Sequence, residues 1–295
     1  MPQVSPYLLL IATTLFWSGN FVLGRAVNAT IPPLALSFWR WVFALLLLLP
    51  FAWRELHRHR ALLLQSWRSL TLLAVLGITN FNTFVYIGLQ DTTATNAVLM
   101  VSTTPVLIVL LSVLLLRQHI SARQTGGVLV SLAGVAVIVA RGDWSTLVHL
   151  HFNSGDAWIM AAVTSWALYS VCLRWRPAGL PALAFLAATM AIGLLVLTPL
   201  YLWDLMQGHH FALDAASIGS IAYVAVFPSV VAYIFWNRAI AELGPNRCGP
   251  FLHLMPAFGA LLSWLLLDER LASYHWGGIA LIAAGLYLAT ARSRA

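Results

Sequence analysis

Ten apolar runs, each about as long as a bilayer's hydrocarbon is thick, decide what this chain can fold into. They lie at roughly 7–27, 33–53, 69–89, 94–116, 123–140, 156–175, 181–203, 216–240, 247–267 and 274–291. A spanning helix needs about 20 mostly apolar residues, since some 30 Å of hydrocarbon is crossed at 1.5 Å per residue. Only 8% of the 295 residues are charged, against about a quarter in a soluble domain that must wet its surface. Lipid must therefore solvate most of this chain. The expected class is an all-α integral membrane protein with ten transmembrane helices. The first run has no Arg before it and is long enough to span, so it reads as a retained helix rather than a signal peptide.

All 16 basic residues are Arg, and they set an expected orientation. With a cytoplasmic N-terminus, twelve fall on the inner side: Arg54, Arg58, Arg60, Arg68, Arg117, Arg123, Arg174, Arg176, Arg238, Arg247, Arg292 and Arg294. Only Arg25, Arg141 and Arg270 fall outside, and Arg40 lies within the second run. The positive-inside rule then puts both termini in the cytoplasm and the chain in the cell (inner) membrane as a multi-pass protein. No basic stripe with interleaved aromatics marks a nucleic-acid partner. Cys172 and Cys248 sit inside apolar runs without a CxxC pair and read as buried free thiols.

The chain also repeats itself. Leu116 through Gly126-Gly127 to Gly134 aligns with Leu267 through Gly277-Gly278 to Gly285 at an offset of 151, which carries Pro105 onto Pro256. Trp17 falls on Trp166 at offset 149, and Pro33 on Pro181 at offset 148. Residues 1–145 and 150–295 are thus two copies of a five-helix unit. Five is odd, so the second copy starts from the opposite face. Inverted repeats of this kind are the architecture of many secondary carriers, with the solute site near the midplane between the halves.

Several motifs carry a family resemblance. They are Phe16-Trp17-Ser18-Gly19-Asn20-Phe21, Pro33 followed by Arg40, Pro105 and Pro256 at mid-helix, and Asp268-Glu269 before Gly277-Gly278. Across its length the chain resembles ten-helix members of the drug/metabolite transporter superfamily, with two EamA-type domains. Within that superfamily its Trp- and Asn-rich interior is most similar to amino-acid exporters of the YddG type. One departure is Gln118, where the first repeat would carry the acidic residue seen as Glu269; this edge position bears on loop capping. The resemblance implies a transporter without cofactor or enzymatic activity.

Polar residues at midplane depth are costly against lipid and should face the interior. Counting ten residues, about 15 Å, into each helix reaches Trp17, Asn80, Pro105, Trp166, Pro228 and Pro256. Asn20, Asn82, Thr83, Tyr86, Ser102, Tyr169, Ser229, Tyr233, Asn237 and His253 lie within three turns of that level, with Trp236 beside them. Asn82 and Tyr86, one turn apart on one face, map at offset 151 onto Tyr233 and Asn237. Ser102 maps onto His253. The expected substrate site is a midplane cavity lined by these Asn, Tyr, Trp, Ser and His residues; the bland alternative is interhelical hydrogen bonding. Arg40 either snorkels outward or points inward as a gating charge that draws a substrate carboxylate. Pro105, Pro228 and Pro256 are candidate hinges whose kinks free backbone carbonyls for substrate. Gly127, Gly134, Gly278 and Gly285, with Ser131, form small-residue faces for packing the fifth helix on the tenth in a monomer, or less readily for a homodimer.

No zinc motif, membrane carboxylate pair or Gly-rich phosphate loop suggests an enzyme, and His209-His210 lacks acidic residues at metal spacing. A passive channel would show one continuous polar stripe. No Asp or Glu sits deep in a helix, which disfavours cationic drugs, and Arg40 alone is too little for sugar phosphates. Neutral or zwitterionic solutes remain, above all amino acids, with an ammonium over Trp17, Trp166, Tyr233 or Trp236. His253 is the only deep group that titrates near neutrality, so transport is expected to run down the solute's own gradient.

Overall fold

A computed structural model of the chain describes residues 4–27, 29–92, 94–143, 145, 152–267 and 272–290. The Asp268-Glu269 turn, Arg270, Arg292 and Arg294 lie outside them. The described residues form helices and connecting turns with no strand. The helices are α1 (Pro6–Ala26), α2 (Pro33–Arg58), α3 (Trp67–Asp91), α4 (Asn96–Leu116), α5 (Ala122–Val139), α6 (Ser154–Trp175), α7 (Ala182–Met206), α8 (Ala215–Leu243), α9 (residues 245–267) and α10 (Ser273–Thr290). The first eight are long and apolar enough to cross a membrane. Large apolar side chains such as Phe51, Leu114, Leu195 and Trp203 stand on the outside. That surface belongs against lipid. We call the face from which α1 starts the first face, and the other the second.

Four helices depart from regular geometry within their spans, in symmetric pairs. α3 widens into a π-helical stretch at Val75–Asn80, and α8 does so at Ala225–Val231. Pro228 accounts for the break in α8, since it cannot donate a backbone bond. Gly77, its equivalent at offset 151, occupies the same place in α3. α4 is interrupted at residues 102–103, just before Pro105. α9 runs through a tight 3₁₀ stretch, Gly249–His253, before Pro256. Gly244 joins α8 to α9 at φ +81°, a left-handed value that favours glycine.

The symmetry closes on a glycine seam. A methyl added at Gly134 would come within 2.6 Å of the Gly278 carbonyl, and one at Gly285 within 2.6 Å of the Gly127 carbonyl. Gly127 and Gly134 are the repeat equivalents of Gly278 and Gly285. The same small-residue face therefore meets itself, and α5 crosses α10 with backbones nearly touching. Apolar side chains gain little by leaving lipid, so such close packing is what holds membrane helices together. The seam buries both glycine faces within one chain.

Carboxylates at helix ends hold other junctions. Asp156 is buried, caps α6 by accepting the Asn153 N–H at 2.8 Å, and accepts from Thr92 and Asn96 across the α3–α4 connection. Asp204 pairs with His209 at 2.7 Å at the second-face end of α7. Gln118 accepts from Asn246 at 2.6 Å, tying the end of α4 to the start of α9. Cys172 and Cys248 are buried and unbonded.

Candidate functional site

Three pairs of repeat-equivalent residues touch at the centre. The Trp17 and Trp166 rings lie 5.0 Å apart, edge to face. Asn82 donates to the Tyr233 hydroxyl at 3.3 Å. His253 Nε2 lies 2.8 Å from the Ser102 carbonyl. A residue can meet its own equivalent only on the axis that relates the repeats, so these contacts mark that axis. Trp236 completes the group, 5.3 Å from Trp17 and 5.8 Å from Trp166. Such aromatic pairs contribute about 0.5–1.5 kcal/mol each beyond their buried area.

On the second-face side of the aromatic group lies Arg40. It does not snorkel: its side chain points inward and is 0% exposed. Its Nε donates to Ser229 at 2.9 Å, and its Nη1 to Asn82 at 2.8 Å, to Asn20 at 3.3 Å and to the Tyr86 hydroxyl. Tyr86 in turn donates to Asn20 at 2.9 Å, and Ser37 and Thr83 share a bond of 2.7 Å nearby. The Trp41 ring lies 5.0 Å from the guanidinium carbon. These four partners are neutral oxygens, and no carboxylate pairs with Arg40 among the described residues. On the first-face side the Tyr169 hydroxyl donates to Asn237 at 2.9 Å. Tyr169 and Asn237 are the equivalents of Asn20 and Tyr86, so the Tyr-to-Asn bond is built twice with its residues exchanged.

The expected carbonyls are present, and the protein uses them itself. Trp17 donates to the Pro228 carbonyl at 3.0 Å, and Tyr233 to the Gly77 carbonyl at 2.5 Å. Both carbonyls lie in the wide turns of α8 and α3. His253 is held at both ring nitrogens, with Ser131 2.5 Å from Nδ1. Of the sequence candidates, Asn80 is the one that stays outside this network: it is half-buried in the α3 wide turn. Ser102 lies at the α4 break, where its carbonyl serves His253 while its hydroxyl turns back to Val98. Pro105, Pro228 and Pro256 stand at or beside the helix irregularities of α4, α8 and α9.

In place of an open midplane cavity there is a space of about 10 Å³ between Trp17, Asn20, Phe81 and Trp166, room for about one water. Larger cavities lie to either side. One of about 530 Å³ opens on the first face, lined by Gln118, Arg174, Arg176, Asn237 and Glu242. A second, about 240 Å³, opens on the second face between Ser18, Ser102, Pro256 and Tyr274. It shares Phe21, Val101, Leu252 and Met255 with the central space. The centre is therefore closed, with indentations toward both faces.

Known proteins resemble this chain in sequence and in fold. The pattern that defines the EamA-like transporter family matches residues 4–140 and again residues 153–291. The chain belongs to the EamA-like transporter family. An uncharacterized transporter of Archaeoglobus fulgidus is 30% identical over 97% of this chain and 97% of its own length. The uncharacterized transporter YyaM of Bacillus subtilis is 26% identical over 90% of this chain and 87% of its own. A crystal structure with 20% identity superposes with a TM-score of 0.79 over 97% of this chain and 96% of its own, which extends the likeness to the fold. As an EamA-like protein, the chain is a multi-pass membrane transporter. The symmetric pairing of its central residues fits the duplicated EamA unit.

Proposed function

We propose that this transporter exports neutral or zwitterionic amino acids from the cytoplasm by alternating access, in the manner of YddG-type exporters. The observation that carries this reading is the closed centre, where equivalent residues of the two repeats meet between cavities on opposite faces. Two inverted halves that exchange conformations open such a centre to one face and then the other. The Trp17, Trp166, Tyr233 and Trp236 rings would form the apolar wall of the site, and Asn20, Asn82, Tyr86, Tyr169 and Asn237 its polar edge. The first face, rich in Arg, would be cytoplasmic, with both termini there, in the cell membrane. Transport would be facilitative, because His253 is engaged at both nitrogens by Ser131 and Ser102. Efflux from loaded proteoliposomes across an amino-acid panel tests the substrate. Movement of another metabolite with no amino acid moving would refute it. Insensitivity to an imposed pH gradient, in the native protein and in His253→Gln alike, is the expected result for coupling. A pH-gradient dependence lost in His253→Gln would instead make His253 a proton carrier.

A further inference from the structure

A fully buried guanidinium with only neutral partners is an unusual arrangement, and its surroundings lean the same way. A guanidinium keeps its charge inside proteins and has no acceptor atom. Beside it the buried Trp41 indole N–H has no hydrogen-bond partner, and neither have the buried indoles of Trp166 and Trp236 in the central aromatic group. The centre of the molecule thus holds one fixed positive charge and three spare donors. No Asp or Glu faces them among the described residues. Buried donors without acceptors and a buried charge without a counter-charge are both costly. Such cost is concentrated where a membrane protein handles its solute.

We propose that the transported solute is selected by a carboxylate that binds Arg40, with its ammonium group, where it has one, dispensable. The inference rests on the transporter reading above and narrows its substrate to organic carboxylates with an apolar or aromatic remainder. Asn20 is the pivot. Its bond to Arg40 is the longest of the set at 3.3 Å, and it lines the small central space together with Trp166. Replacing that oxygen by a carboxylate exchanges a long neutral contact for a charge-assisted one. A carboxylate is acceptor-only when ionised, so one in the place of the Asn20 oxygen can also accept from the spare Trp166 indole, which lines the same space. The Trp17–Trp166–Trp236 rings then receive the apolar remainder. A solute whose sole charge is an ammonium finds no carboxylate here and a guanidinium instead.

The test is binding of four aromatic probes to the purified full-length protein, read by calorimetry and by competition in proteoliposomes. They are L-phenylalanine, L-phenylalaninamide, 3-phenylpropionate and phenethylamine. Both acids are expected to bind within about tenfold of each other, and the amide and the amine at least tenfold more weakly. Arg40→Gln should abolish the preference of acid over amide, with Arg40→Lys retaining part of it. If either variant fails to fold, the native protein's four-probe ranking decides alone. Equal binding of phenylalanine and its amide, tighter binding of the amine, or no binding of either acid overturns the proposal. The two readings separate cleanly. Binding of 3-phenylpropionate without phenylalanine would sink amino-acid export and keep the carboxylate anchor. Transport of phenylalanine and its amide alike would do the reverse.

Discussion

The two repeats agree in backbone and disagree in chemistry. Their wide turns, glycine faces and Tyr-to-Asn bonds correspond position for position. Yet the first repeat carries Arg40 on α2, where the second has Ala188 on α7 at offset 148. Trp17 has the Pro228 carbonyl, while the matching carbonyl, that of Gly77, is taken by Tyr233 and leaves the Trp166 indole unpartnered. Duplication thus supplies the frame, and substitution polarises it. Under the alternating-access reading, the indole bond would pass from Trp17 to Trp166 when the halves exchange.

The largest expected effect tests where the repeats agree. Gly134→Ala and Gly285→Ala should each sharply reduce the yield of monodisperse protein in detergent, to similar extents. Each added methyl meets backbone, and overpacking costs about 1–3 kcal/mol even where side chains can yield. Gly126→Ala and Gly277→Ala, with nothing within 4 Å, should fold normally. Unequal losses for Gly134 and Gly285 would show that the seam is not symmetric.

Next come the paired tyrosines. Tyr86→Phe removes an acceptor from a charged donor, worth about 1.5–3 kcal/mol. Tyr169→Phe removes a neutral interhelical bond, worth about 0.6 kcal/mol. Thermal melts in detergent should therefore rank Tyr86→Phe well below Tyr169→Phe. Equal melts would erase the polarity assigned to the repeats. A smaller contrast is expected for the indoles. Both Trp17→Phe and Trp166→Phe lose buried ring contacts, but Trp17→Phe also strands the Pro228 carbonyl and should lower the melting temperature more than Trp166→Phe, which removes an unpartnered donor. Transport assays on the same pair should show a loss for Trp166→Phe although it is the more stable of the two.

The smallest effect compares the starts of α3 and α8. Asp214 accepts the Ser217 N–H at 2.7 Å, and Ser66 makes no such cap bond on α3. Backbone donation from Ser217 holds the Asp214 carboxyl below its ordinary range. A depressed folded-state value means its contribution is present at neutral pH and fades as pH falls below about 4. Asp214→Ala should therefore melt slightly lower than the native protein at pH 7, with the gap narrowing in acid. Ser66→Ala should be silent at both pH values.

Much of this fold was legible because hydrocarbon permits so few alternatives. The ten runs place each helix within a few residues of its observed bounds, and the glycines and prolines mark the repeat. Pro228 flags the wide turn in α8, but Gly77 gives no comparable signal in α3, since an isolated glycine is common in membrane helices. The central residues were nameable from depth and periodicity, whereas their partners were not. Whether Trp17 or Tyr233 claims a given carbonyl depends on helix rotations of a few degrees that no spacing encodes. The buried role of Asp156 was hidden for a related reason: it begins α6 and reads as a loop residue, yet packing folds the α3–α4 connection over it.

The glycine seam also sets a timetable. Its two faces are 151 residues apart in the chain, so at about 5–20 residues per second a ribosome needs roughly 8–30 s to supply α10 after α5. Throughout that interval the small-residue face of α5 has lipid, the insertion machinery or a neighbouring nascent chain against it. Thus α10 is the helix that locks the first half, and a chain cut short before α10 would have a complete first repeat with nothing to close it.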